Sequence, residues 1–140
     1  MDGANATPVV DAGSPPPPPG PDDRVDEAIL DELFLIMGDG GSDGLVKACD
    51  LFLSGVPSRL AELQAAVADA RFQDAAQGAH SLRGSAGAFG ARRLSVLTLT
   101  LERLCRERDV PGATALIGEM EAEFRIFRAI LVARLGQLSR

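Results

Sequence analysis

The sequence predicts an all-α protein, an antiparallel four-helix bundle with a short additional N-terminal helix and a proline-rich tail before it. Apolar residues recur at spacings of three and four along four long segments, which is the mark of helices that bury one stripe. The aromatic residues are six Phe, with neither Trp nor Tyr, in a chain rich in Ala and Leu, a balance that suits helices better than a sheet. Gly, Pro and Asp gather in short clusters between the periodic segments, and short connections make antiparallel neighbours. A length of 140 residues is enough for one domain with a sizeable core and too little for two.

Residues 1–21 read as a tail. Small residues, the proline run Pro15 to Pro19 and the lack of periodic apolar positions support no packed element. The proline run reads as a spacer, with a short polyproline II ligand as the alternative. The domain then spans residues 22–140. Asp22 and Asp23 are placed to cap a first helix, and Val25, Ile29, Leu33 and Ile36 or Met37 carry its apolar positions to about Met37. GDGGSDG, Gly38 to Gly44, is a loop that ends with Ser42 or Asp43 as the next cap.

The second helix is expected from about Gly44 to Ala68, with Leu45, Cys49, Phe52, Leu53, Val56, Leu60, Leu63 and Val67 in one stripe. Pro57 lies inside it and predicts a kink near Leu53 to Gly55, because the stripe keeps its phase across the proline. Asp69 marks a break. The third helix is expected from about Ala70 to Phe89, with Gly90 letting the chain leave in a left-handed conformation. The fourth runs from about Ala91 to Arg108, turning Leu94, Leu97, Leu101 and Leu104 inward. Asp109, Pro111 and Gly112 form the next turn. The fifth, from about Pro111 to Leu138, buries Leu116, Ile117, Met120, Phe124, Phe127, Leu131 and Leu135.

A net charge of −6 disfavours a nucleic-acid partner, since neutralising phosphates needs a basic face. No apolar run approaches the roughly 20 residues that span a bilayer, and no secretory signal opens the chain, so a cytoplasmic protein that makes no membrane contact is expected. Cys49 and Cys105, the two cysteines, sit at apolar-patterned positions and read as buried reduced thiols rather than a disulfide.

The third helix is unusual around His80, the single histidine. At about 100° per residue, Ala76, His80, Arg83, Gly84 and Gly87 fall in a narrow arc, while Leu82, Ala86 and Phe89 point the other way with Ala75 and Ala79 beside them. One side can pack, and the other is stripped bare around an imidazole. A core histidine would lie on the apolar stripe, and a metal ligand would need partners that the sequence lacks. A plain surface histidine remains the bland alternative. An exposed, neutral imidazole can attack phosphorus, the product needs a nearby cation such as Arg83, and Gly84 and Gly87 give a large donor clearance. Each glycine costs the helix up to about 1 kcal/mol relative to Ala.

AHSLRGSAGAFGARRL resembles the pattern A-H-x-L-K/R-G-S-A-x-x-x-G-A-x-x-L of histidine-containing phosphotransfer (HPt) domains, through Ala79, His80, Leu82, Arg83, Gly84, Ser85, Ala86, Gly90, Ala91 and Leu94. The resemblance covers about Val25 to Leu135. It implies that His80 carries a phosphoryl group in a two-component phosphorelay, taken from an Asp of a receiver domain or hybrid sensor histidine kinase and passed to an Asp of a response regulator. Arg83 takes the place usually held by Lys, Gly84 permits docking, and Ser85 helps hold the helix to its neighbour. Such domains often set a Gln or Glu against the other ring nitrogen. Here that position is Glu102, whose carboxylate is closer to the chemotaxis-kinase branch, and it reads either as a ring orienter or as a solvated Glu paired with Arg106. Ala76, Gln77, Gly84, Gly87, Arg92 and Arg93 form the expected docking surface, with a solvated pair as the alternative for the two arginines.

The resemblance implies a monomeric carrier without kinase activity of its own, with no cofactor or metal on this chain and with Mg2+ on the receiver partner. The competing readings are a binding module of the same fold that sequesters a kinase or receiver without transfer, and a bundle oxidoreductase, which the absence of a second His disfavours.

Overall fold

The structure is a computed structural model that describes residues 24–38 and 43–137. The tail at residues 1–21, the candidate caps Asp22, Asp23 and Ser42, and the end of the last helix at Leu138 lie outside them. The described residues form α1 (Glu27–Gly38), α2 (Asp43–Ala68), α3 (Phe72–Ala88), α4 (Arg92–Arg106) and α5 (Val110–Gln137), with no strand among them. The four long helices pack in a ring, α2 on α3, α3 on α4, α4 on α5 and α5 back on α2, and α1 rests on α2. None of these helices is long and apolar enough to cross a membrane.

The predicted stripes form the core. All eight positions named on α2 are buried, as are Leu94, Leu97 and Leu101 on α4 and six of the seven on α5, while Leu104 and Leu135 are partly buried. Phe52 sits at the centre, stacked on Phe89 at 4.6 Å and meeting Phe124 and Phe127 edge-on at 6.5 and 6.1 Å. Such ring pairs add about 0.5–1.5 kcal/mol each beyond the area they bury. Cys49 and Cys105 are buried free thiols. α2 runs unbroken through Pro57, which stands exposed on its outer side.

Three helix ends share one device. After α2, α3 and α4 the chain turns through a residue with positive φ, Ala70 at 59°, Gly90 at 78° and Arg108 at 56°. In each case the next amide donates to the carbonyl five residues back, Arg71 to Ala66, Ala91 to Ala86 and Asp109 to Leu104, at 2.8, 2.8 and 3.0 Å. That is the Schellman pattern, which satisfies the carbonyls a helix leaves open. Ala70 and Arg108 were expected inside helices; their helix-favouring side chains conceal a left-handed cap that only Gly90 advertises.

α1 departs most from the expectation. It starts at Glu27, with Asp26 as its cap through a 3.2 Å bond from the Ile29 amide, and it buries Leu30 rather than Ile36, which is 67% exposed. The Asp26 amide donates to the Gly90 carbonyl at 2.8 Å, and Arg134 of α5 binds Glu27 and Asp31 at 2.6 and 2.8 Å. α1 therefore crosses one end of the bundle, against the α3–α4 turn and the far end of α5.

Candidate functional site

α3 turns Ala75, Ala79, Leu82 and Ala86 inward, each with no exposed surface, and this fixes the direction of everything else on the helix. His80, Gln77 and Gly84 are exposed on the opposite side, and Ala76, Arg83 and Gly87 are half-buried along its edges. A Cβ built on Gly84 meets nothing within 4 Å, so packing places no demand for glycine there. Gly87 faces α4, where a Cβ would lie 3.9 Å from the Ser95 hydroxyl.

The charged groups form a short chain across α3 and α4. Arg83 Nη2 lies 2.7 Å from His80 Nδ1, and Arg83 Nη1 lies 3.5 Å from Glu102 Oε2 on α4. The Arg83 side chain is 30% exposed and that of Glu102 16%, so the pair lies in a partly screened setting where a charge contact counts for more than at an open surface. Glu102 Oε2 is buried without a hydrogen-bond partner among the described residues. The sequence offered Glu102 a place directly against the ring or beside Arg106. The structure has neither contact among the described residues, because the guanidinium occupies Nδ1 and stands between ring and carboxylate.

The rest of the expected docking surface divides. Arg92 opens α4 and lines a shallow recess of about 180 Å³ with Gly87, Gly90, Ser95, Val96 and residues of the α1 entry. Arg93 is half-buried next to it, and neither arginine forms a salt bridge among the described residues. Val96 and Leu99 on α4 are 45% and 48% exposed, an apolar strip beside the recess that the sequence reading passed over. Their position on the outer side of α4, opposite its stripe, was the available signal. Ser85 faces α2 in a gap of about 100 Å³ lined by Leu51, Phe52, Gly55, Val56 and Arg59.

The sequence reading also passed over the groove on the α2 side of His80. It has a volume of about 490 Å³ and is lined by Arg59, Glu62, Arg71, Asp74, Gly78 and Ser81 among others. Arg59 donates to the Ser81 hydroxyl across it at 3.3 Å. Gly78 belongs to packing rather than clearance, since a Cβ there would come 3.0 Å from Leu63 Cδ2. Among the described residues no group of three or more His, Cys, Asp or Glu side chains is placed to hold a metal ion. The two thiols are not set up as nucleophiles: burial, with Asp50 adding to it, pushes Cys49 up to about 11, and burial followed by Glu102 raises Cys105.

Comparison with known proteins bears on this arrangement. The family model of the Hpt domain matches residues 47–130, more than half of the chain. Among solved structures the chain is similar to histidine-containing phosphotransfer protein B (HptB) of Pseudomonas aeruginosa PAO1, with 30% identity and a TM-score of 0.72 over 81% of this chain and 96% of that one. It is also similar in fold to a histidine-containing phosphotransfer protein from maize, at 23% identity and a TM-score of 0.71, over 84% of this chain and 88% of the other. No curated protein matches the chain.

Proposed function

The chain belongs to the Hpt domain family, and from that premise we propose that it is a phosphocarrier of a two-component relay, loaded and unloaded at His80. The observation that carries this reading is an exposed imidazole with a guanidinium 2.7 Å from one nitrogen, on a helix face that Gly84 leaves open. A partner's aspartyl phosphate is the donor. A ring nitrogen attacks phosphorus, the phosphorus–oxygen bond to the aspartyl group breaks, and the electron pair remains on the partner's carboxylate. The reverse step delivers the group to a second receiver.

Arg83 supplies positive charge to the phosphoryl oxygens once the group is on the ring. Gly84 and Gly87 allow the partner's backbone and acidic loops to approach, and Arg92 and Arg93 at the start of α4, without a salt bridge among the described residues, meet those acids. Val96 and Leu99 add apolar contact at the same edge. Mg2+ and the acid–base chemistry belong to the receiver. This chain positions a nucleophile and draws its phosphoryl group from a partner's acyl phosphate.

The test is incubation of the full chain with a phosphorylated receiver and Mg2+. Wild type is expected to gain acid-labile, alkali-stable phosphate, and His80→Gln none. Equal uptake by the variant overturns the assignment of His80. Wild type that binds the receiver yet gains no phosphate favours the non-transferring module instead.

A further inference from the structure

The contact between Arg83 and His80 constrains the ring more than a general charge partner would. A guanidinium carries only donors, so the nitrogen it touches at 2.7 Å must accept. Nδ1 therefore presents its lone pair to Arg83, and the one hydrogen of the neutral ring sits on Nε2. In that state neither nitrogen is free to attack: Nε2 holds the proton, and Nδ1 is occupied. Beside the guanidinium lies Glu102 Oε2, 3.5 Å from Nη1, buried and without a hydrogen-bond partner among the described residues. An acceptor with unused capacity at that distance is a second seat for the same arginine.

We propose that Arg83 is a gate on the tautomer of His80, and that Glu102 is a positioning residue that acts through Arg83 by receiving it when it leaves the ring. This rests on the phosphocarrier reading. As the anionic donor arrives, Arg83 turns from Nδ1 towards Glu102 and the phosphoryl oxygens. The ring releases the Nε2 proton to water and takes one from water at Nδ1, so its proton count is unchanged and Nε2 gains a lone pair. The Nε2–phosphorus bond then forms as the acyl phosphorus–oxygen bond breaks, with the electron pair left on the partner's carboxylate. The resting protein is thereby held in the less reactive tautomer until a donor of the right charge displaces the guanidinium.

Ring-nitrogen NMR of the full chain, labelled at histidine and measured without any donor at a pH where the ring is neutral, reads the tautomer directly. Wild type is expected in the Nε2–H form. In Arg83→Ala the carboxylate of Glu102 becomes the nearest charged acceptor for the ring, and the Nδ1–H population should rise by about tenfold, the order that losing one charge-assisted hydrogen bond produces. The double variant Arg83→Ala, Glu102→Ala should lose that rise. A wild type in the Nδ1–H form, or an unchanged ratio in Arg83→Ala, overturns the gate. Glu102→Gln should keep the wild-type tautomer yet take phosphate from a receiver about tenfold more slowly, because Arg83 loses its charged second seat; unchanged uptake removes Glu102 from the proposal. Because the tautomer is read without transfer, failure of wild type to accept phosphate would contradict the carrier reading and not the gate.

Discussion

Along α3 the side turned to the bundle carries Ala75, Ala79, Leu82 and Ala86, all without exposed surface, while the outer side carries His80, Gly84 and the edge of Arg83. The inner side is specified by volume: each residue fills the space its neighbours leave. The outer side is specified by what is missing from it. Gly78 and Gly84, two glycines of one helix, show the difference. A methyl at Gly78 would press on Leu63 at 3.0 Å, whereas at Gly84 it would meet nothing. The first glycine answers to the fold, and the second, on the phosphocarrier reading, leaves room for a partner.

The largest expected effect lies on the inner side. Leu82→Ala should destabilise the protein by about 2–5 kcal/mol through lost transfer energy and the cavity left behind, read by denaturant unfolding. Whatever fraction stays folded should still accept phosphate, since the outer side is untouched. Loss of transfer without loss of fold would break the division between the two sides.

Alkaline pH sharpens the same division for nucleophiles. The buried Cys49 thiol keeps its proton up to about 11, against an ordinary value of 9.0 in the unfolded chain. Its folded-state value is raised, so its contribution to stability is whole below about pH 9 and is lost as the pH climbs through about 11. Wild type should therefore lose stability across that window more steeply than Cys49→Ala, and equal slopes would show that the thiol does not titrate as its burial requires.

The outer side gives smaller effects of opposite sign. Gly84→Ala should stabilise the protein by up to about 1 kcal/mol, because an open helical site gains propensity with no clash. On the packed side Gly78→Ala should lose most or all of that gain, since the buried Leu63 has to shift. Ala70→Gly is smaller than Gly84→Ala, a gain of roughly 0.5 kcal/mol in thermal unfolding, as glycine relieves a left-handed cap while adding freedom to the unfolded chain.

The core was legible because its signal is periodic: the stripes of α2 and α5 read straight from the spacing of Leu, Val, Ile and Phe. Helix ends were less so, since a left-handed Ala70 or Arg108 looks like any other helix residue, and the first helix was misread because Leu30 is buried by the Gly90 turn, 60 positions on. The site showed the same split. His80, Arg83 and Gly84 share a face by spacing alone, and the sequence placed them together. That Glu102 meets Arg83 and not the ring depends on how far α4 lies from α3 and on which acceptor a guanidinium reaches first, and neither is written in either helix by itself.

On the phosphocarrier reading the bare face of α3 is the route by which a protein-borne phosphoryl group reaches His80. Gly84→Gln puts bulk beside the ring without disturbing the core, so the informative measurement is its phosphate uptake from two donors, a phosphorylated receiver domain and the small molecule phosphoramidate. The expected result is a loss of about tenfold or more from the receiver, the scale on which a steric misfit of 1–3 kcal/mol acts, with uptake from phosphoramidate unchanged. Equal rates from the receiver in variant and wild type, or a parallel loss from both donors, would contradict the claim.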